Sequence, residues 1–231
     1  MTQIIVSPSF FPEIYGQVKC YSLNKAIYKT GFRSGLFAFG ATIAFVIVQT
    51  LQLFRVFPSP LDETLIYATS ICIVIPFILE ILALHYITPE GKKFWSHAAL
   101  IFTVLYAVFV TANYVVQLAT VIPMKLKGNA AEIRILEQTP HSLFWDFDAL
   151  GYIFMGLATF IAIPVFEKHG FQKWVRISFI ANALATPFIA FVYFYPVFSE
   201  KLLALGFVWG ITAPLAMIML AILFKKECPA T

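Results

Sequence analysis

The chain has 231 residues, 60% of them hydrophobic, 17% aromatic and only 12% charged, with a mean hydropathy of +0.84 and a formal charge of +4. Soluble domains carry about 25% charged residues, and half that density cannot cover a water-facing surface. A soluble globular enzyme, a disordered chain and a disulfide scaffold are therefore excluded, and an all-α integral membrane protein remains.

Residues 1–33 form a lead in which Phe10, Phe11, Tyr15, Tyr21, Tyr28 and Phe32 alternate with Lys19, Lys25, Lys29 and Arg33. That mixture suits a cytoplasmic or interfacial segment at headgroup level. No apolar run lies close enough to the start to read as a cleavable signal.

Residues 34–224 read as one domain of six transmembrane helices, because crossing the hydrocarbon takes roughly 20 apolar residues per helix. The expected spans are Ser34–Val56, Thr64–Thr88, Trp95–Pro123, Phe144–Phe166, Gln172–Pro196 and Leu202–Phe224. Charged and Pro-containing breaks separate them: Pro58 to Glu63, Pro89 to Lys93, Met124 to Leu143, Glu167 to Gly170, and Ser199 to Lys201. Residues 225–231 are the tail. Each span is read as a helix because an unpaired backbone amide in lipid costs several kcal/mol.

Lys and Arg set the expected orientation. Lys19, Lys25, Lys29, Arg33, Lys92, Lys93, Lys168, Lys173, Arg176, Lys225 and Lys226 fall on one side, against Arg55, Lys125, Lys127, Arg134 and Lys201 on the other. The positive-inside rule then places both termini in the cytoplasm, and the plasma membrane is the expected location. In the long connection after the third span, Asn129 and Glu132 have capping-box spacing, which predicts a short interfacial helix over Asn129–Gln138 on the outer face.

Polar residues inside spans are the informative ones, since an ionisable group at mid-bilayer costs about 2.5–3.5 kcal/mol. At 1.5 Å rise per residue, Glu80 sits roughly 6 Å to the cytoplasmic side of centre, one turn after Pro76. It is the first candidate for a catalytic acid, proton carrier or cation ligand, against a purely packing role. Asp148 lies roughly 10 Å to the outer side, with Tyr152 one turn on. Asp146 is explained by the helix N-terminus. The depth gap argues against Glu80 and Asp148 as a close acid–base pair.

Gln49, Gln52, Asn113 and Gln117 join Asp148 in an expected outer polar layer, with interhelical hydrogen bonding as the alternative. Asn182, near the midplane of the fifth span, is the expected partner of Glu80. Trp209 marks the last span as a candidate site wall. Gly206 and Gly210 form a GxxxG that suits close helix approach within the bundle or between two copies of the chain.

Cys20, Cys72 and Cys228 form no metal motif, the His residues have no metal-ligand spacing, and no cofactor motif is present. Sixteen Lys and Arg scattered through the loops give no nucleic-acid footprint. Besides the bilayer, the expected partner is a lipophilic small molecule. Three functions fit: an intramembrane cavity for such a molecule, as a binding protein or a membrane-embedded enzyme; a small proton-coupled transporter; and a non-catalytic scaffold, sensor or assembly factor.

Overall fold

A computed structural model describes the backbone of residues 10–229 and the side chains of 24–229, except those of Ala130 and Glu200. Phe10, Phe11, Tyr15, Cys20 and Tyr21, read above as part of an interfacial lead, thus have side chains outside the described residues. Six long helices carry the fold: α1 (Phe10–Leu53), α2 (Leu61–Ile87), α3 (Lys93–Val116), α4 (Leu143–Ala162), α5 (Gln172–Phe194) and α6 (Phe207–Glu227). The chain is 83% helical, without strands among the described residues.

Each of the six apolar segments is long enough to cross a membrane: Asn24–Leu53, Leu61–Ile87, Glu90–Leu126, Leu143–Val165, Gln172–Phe194 and Lys201–Glu227. They are compatible with a multi-pass membrane protein. Their outward faces carry large apolar side chains such as Phe37, Ile75, Val108, Phe160, Leu184 and Ile211. In water such a surface would drive association; in a bilayer it meets solvent of its own kind.

The helix that carries the first span runs unbroken from Phe10 through Ser34, where that span was expected to start. Charges at Lys25, Lys29 and Arg33 had masked this, although straight-chain Lys and Arg are good helix formers.

The helices form a closed ring. Each of α1 to α5 packs on its successor in sequence, and α6 packs back on α1. The α1–α6 seam is built on small residues. Gly31 and Gly35 lie four apart and share one face. Cβ atoms added there would sit 2.7 Å from the Phe224 ring and 2.8 Å from Ala221 Cβ. Further along, Ala38 is fully buried and the Thr42 hydroxyl meets Met217 Sδ at 3.3 Å. Close approach of this kind, supported by van der Waals contact, drives helix association where lipid removes the hydrophobic term.

The two ends of the ring differ. At the end with the α2–α3 and α4–α5 turns, Lys92 Nζ bonds the Val165 carbonyl at 3.0 Å and Glu167 at 2.6 Å. The hydrogen bond and charge of Lys92 hold the Glu167 carboxyl below the usual carboxylate range. At the opposite end lies the long α3–α4 connection.

That connection departs from expectation. Its helix covers only Ala130–Ile133, and the Asn129 side chain caps nothing. The reason is that the third span holds the following backbone. Gln117 donates from Nε2 to the Leu136 carbonyl at 2.8 Å and accepts from the Gln138 amide at 3.3 Å. Asn113 Nδ2 donates to Gln138 Oε1 at 3.0 Å. A segment whose amide and carbonyl are bound sideways cannot continue a helical ladder.

Candidate functional site

The polar layer expected from depth alone takes shape inside the ring at the α3–α4 end. There a cavity of about 270 Å³ is lined by residues of five of the six long helices and of the α3–α4 connection. α1 contributes Phe45, Gln49 and Gln52; α2 contributes Glu63 and Tyr67; α3 contributes Tyr114, and the turn that follows it contributes Gln117. The connection adds Lys125, Glu137 and Gln138, while Trp145, Asp148 and Tyr152 come from α4 and Tyr193 from α5.

Asp148 is the buried acid of this cavity, with 5% of its surface exposed. The start of α4 explains its position. Ser142 caps the helix by accepting the Trp145 amide at 3.2 Å, which fixes the first turn. Asp146 then points outward and is exposed, while Asp148, two residues on and about 200° around, points inward. Two phenols hold it: Tyr114 donates to Oδ1 at 2.6 Å and Tyr193 donates to Oδ2. Two hydroxyl donors on separate carboxyl oxygens stabilise the anion and fix its orientation.

The aromatic lining is continuous. Trp145 stacks on Tyr193 at 4.5 Å between ring centroids, Tyr193 lies 5.8 Å from Tyr152, and Tyr152 meets Trp209 edge-on at 4.8 Å. Trp209 in turn packs edge-on against Phe45 at 5.8 Å, and Tyr67 lies 5.5 Å from Tyr114. Below these rings a void of about 20 Å³ touches Asp148, Tyr152 and Trp209 before the T-shaped Phe77–Tyr106 pair. The Trp209 Nε1, on a side chain 6% exposed, has no hydrogen-bond partner among the described residues.

Charged groups cluster near the mouth. Lys125 Nζ lies 3.4 Å from Glu63 and 3.8 Å from Glu137. Gln52 Nε2 donates to Asp62 at 3.0 Å, joining α1 to the start of α2. Above Gln117 the third span passes through a π turn, Gln117–Val121, followed by Pro123. Proline lacks an amide hydrogen, so the ladder must widen or break near it, and π turns are frequent at functional sites.

Of the residues singled out in the sequence, Gln49, Gln52, Gln117, Asp148 and Tyr152 line this cavity. Asn113 is buried behind it, on Gln138, and Trp209 lines the smaller voids beside it. Glu80 and Asn182 are elsewhere. Asn182 does not pair with Glu80: its Nδ2 donates to Thr159 Oγ1 at 3.1 Å, and its Oδ1 accepts from Thr212 at 3.2 Å, joining α4, α5 and α6. The ring order explains this, since α2 and α5 are not neighbours.

Glu80 is 0% exposed and packs against Gly35 of α1 and Ala221 of α6. Neither carboxyl oxygen has a hydrogen-bond partner among the described residues. It belongs to the packed half of the bundle, outside the cavity. Gly210 faces Val46 of α1 within the same chain, while a Cβ on Gly206 would meet open space.

Sequence reasoning missed Tyr67, Tyr193, Glu63, Lys125, Glu137 and Gln138. Tyr67 and Tyr193 read as ordinary span aromatics, and the loop residues reach the cavity only because the connection folds inward. The Asn113/Gln117 pair was the available signal: two amides one turn apart at a span end need partners, and the nearby loop backbone supplies them. No protein-family model, curated protein or solved structure matches the chain.

Proposed function

We propose that the protein binds a small molecule with an apolar or aromatic body in this cavity, with Asp148 as the acid that engages it. The single observation that carries this reading is the buried Asp148 carboxylate, oriented by Tyr114 and Tyr193 inside a space of about 270 Å³ walled by aromatic rings. Small-molecule sites combine a largely apolar wall with a few convergent polar groups in this way. The volume suits a compact ligand with one ring.

The reading moves the acid from Glu80 to Asp148. Glu80 does not line the cavity. The positive-inside distribution puts the cavity mouth on the outer face, so the ligand arrives from outside the cell or from the outer leaflet. As an enzyme the site would have one carboxylate and flanking phenols, which suits proton transfer at a bound molecule better than a two-carboxylate reaction.

Transport is the second reading. One observation favours it: five of the six long helices line the cavity, and α2, α5 and α6 carry interior prolines at Pro76, Pro187 and Pro214, while the third span carries the π turn after α3. Interrupted helices around a central site are the usual hinge material of transporters.

The test is a ligand screen by thermal shift on the full chain in nanodiscs, with wild type beside Tyr152→Ala and Asp148→Asn. Compounds that stabilise wild type and lose their effect in both variants support the reading. Compounds that stabilise all three equally, or none at all across a broad single-ring library, refute it.

A further inference from the structure

Resting on the cavity reading above, we infer that the ligand is an organic cation, specifically a protonated amine carried on a compact apolar body. The charge inventory of the wall leads there. Glu63, Glu137 and Asp148 face one base, Lys125, a formal balance of −2. Lys125 is engaged with the two glutamates at the mouth. No ion pair reaches Asp148 among the described residues; its oxygens are met by neutral groups, the phenols of Tyr114 and Tyr193 with the Gln138 amide beside them.

A carboxylate at this depth normally requires a counter-charge, because neutral donors offset only part of the loss of hydration. Phenol donors lower that deficit without cancelling the charge. They also leave the remaining lone pairs of both oxygens free for an incoming ammonium. An anionic ligand would meet repulsion from three acids, and a neutral one would leave the charge balance unchanged.

The rings supply the second, independent argument. Tyr67, Tyr114, Tyr152, Tyr193 and Trp145 surround the acid. Aromatic faces carry negative quadrupolar charge and attract a cation, more strongly when water is excluded. Their apolar bodies accept the ring or alkyl part of the same ligand. A metal ion fits this wall less well, since hard cations need several converging oxygens and no group of three or more His, Cys, Asp or Glu is placed to hold one among the described residues.

The experiment compares three probes of nearly equal shape, 2-phenylethylammonium, 2-phenylethanol and phenylacetate. Binding to the full chain in nanodiscs is read by tryptophan fluorescence, with Trp145 in the cavity wall as reporter. The amine is expected to bind at least about tenfold tighter than the alcohol, a difference of roughly 1.4 kcal/mol, with phenylacetate weakest. Asp148→Asn is expected to remove that margin. Lys125→Met keeps Asp148 and removes the only base in the wall among the described residues, so amine affinity is expected to rise severalfold at low salt and fall back at high salt. It remains informative if the Asp148 variant does not fold.

Alcohol binding as tight as the amine, lost in Tyr152→Ala, would overturn the cation inference and leave the cavity reading standing. An amine margin indifferent to both charge variants would also overturn the inference. No saturable binding of any probe up to about 10 mM, weaker than roughly −3 kcal/mol, would overturn both.

Discussion

Replacing Glu80 by leucine is expected to stabilise the protein. The side chain is fully buried, its two oxygens lack hydrogen-bond partners among the described residues, and its surroundings are Gly35 and Ala221. A buried polar group without a partner costs roughly 1–3 kcal/mol in proteins, and leucine removes that cost while keeping most of the volume. For a chain of this length each kcal/mol moves the midpoint by roughly 2–4 °C, so Glu80→Leu should raise it by roughly 2–12 °C. Glu80→Gln should gain less, because the amide keeps a hydrogen-bonding demand. The assay is thermal unfolding of the detergent-solubilised full chain by tryptophan fluorescence, with phenylethylammonium binding as the control for an intact cavity. A lowered midpoint for leucine beside an unchanged one for glutamine would refute the reasoning, by showing that the carboxyl has a polar partner.

Gly156→Ala is expected to lower the midpoint and cost about 1–3 kcal/mol. The new methyl would overlap the Thr186 side chain of α5, with Thr186 Cβ at 2.7 Å, and Thr186→Gly in the same chain should restore most of the loss. Additive losses in the double variant would contradict that packing. Tyr114→Phe removes one of the two donors to Asp148 and should cost about 1.5–3 kcal/mol, as for hydrogen bonds to charged groups; an unchanged unfolding midpoint would mean that the bond carries nothing. The Lys92–Glu167 contact should depend on pH in one direction. Because the folded carboxyl titrates below its ordinary value, the stabilisation is present above about pH 4.3 and disappears as pH falls through the folded value. Lys92→Met should therefore flatten the acid limb of a stability–pH curve, and an identical limb in both proteins would rule the linkage out.

The six helices were legible because each is an apolar run bounded by prolines and charges, and no competing pattern of the same length exists. The start of α1 was not, since Lys25, Lys29 and Arg33 read as a separate cytoplasmic or interfacial lead although they lie on a helix continuous with the first span. That error also hid Gly31-Phe-Arg-Ser-Gly35, the small-residue face of the α1–α6 seam, while attention went to Gly206 and Gly210. Depth arithmetic placed Gln49, Gln52, Gln117 and Asp148 in one layer, and the structure brings them to one cavity. Depth says nothing of azimuth, however. It could not tell that Glu80 and Asn182 sit on non-neighbouring helices, or that Glu137 and Gln138 return from the connection. Those contacts depend on ring order and on loop hydrogen bonds, which are non-local in a single sequence.

The ring order also bears on how the chain is made. Every helix but one finds its first neighbour in the segment synthesised just before it, so most of the bundle assembles by local pairing as it enters the membrane. The seam between α1 and α6 waits for the last helix. Ala221 of that helix and Glu80 both lie against Gly35, so a chain without α6 is expected to leave the carboxyl less enclosed, at the cost of an acid nearer to lipid. A chain stopped before α6 should react at Glu80 with a lipid-soluble carbodiimide, and the complete chain should not. A residue that burdens the finished fold would then serve biogenesis, by making the incomplete one recognisable.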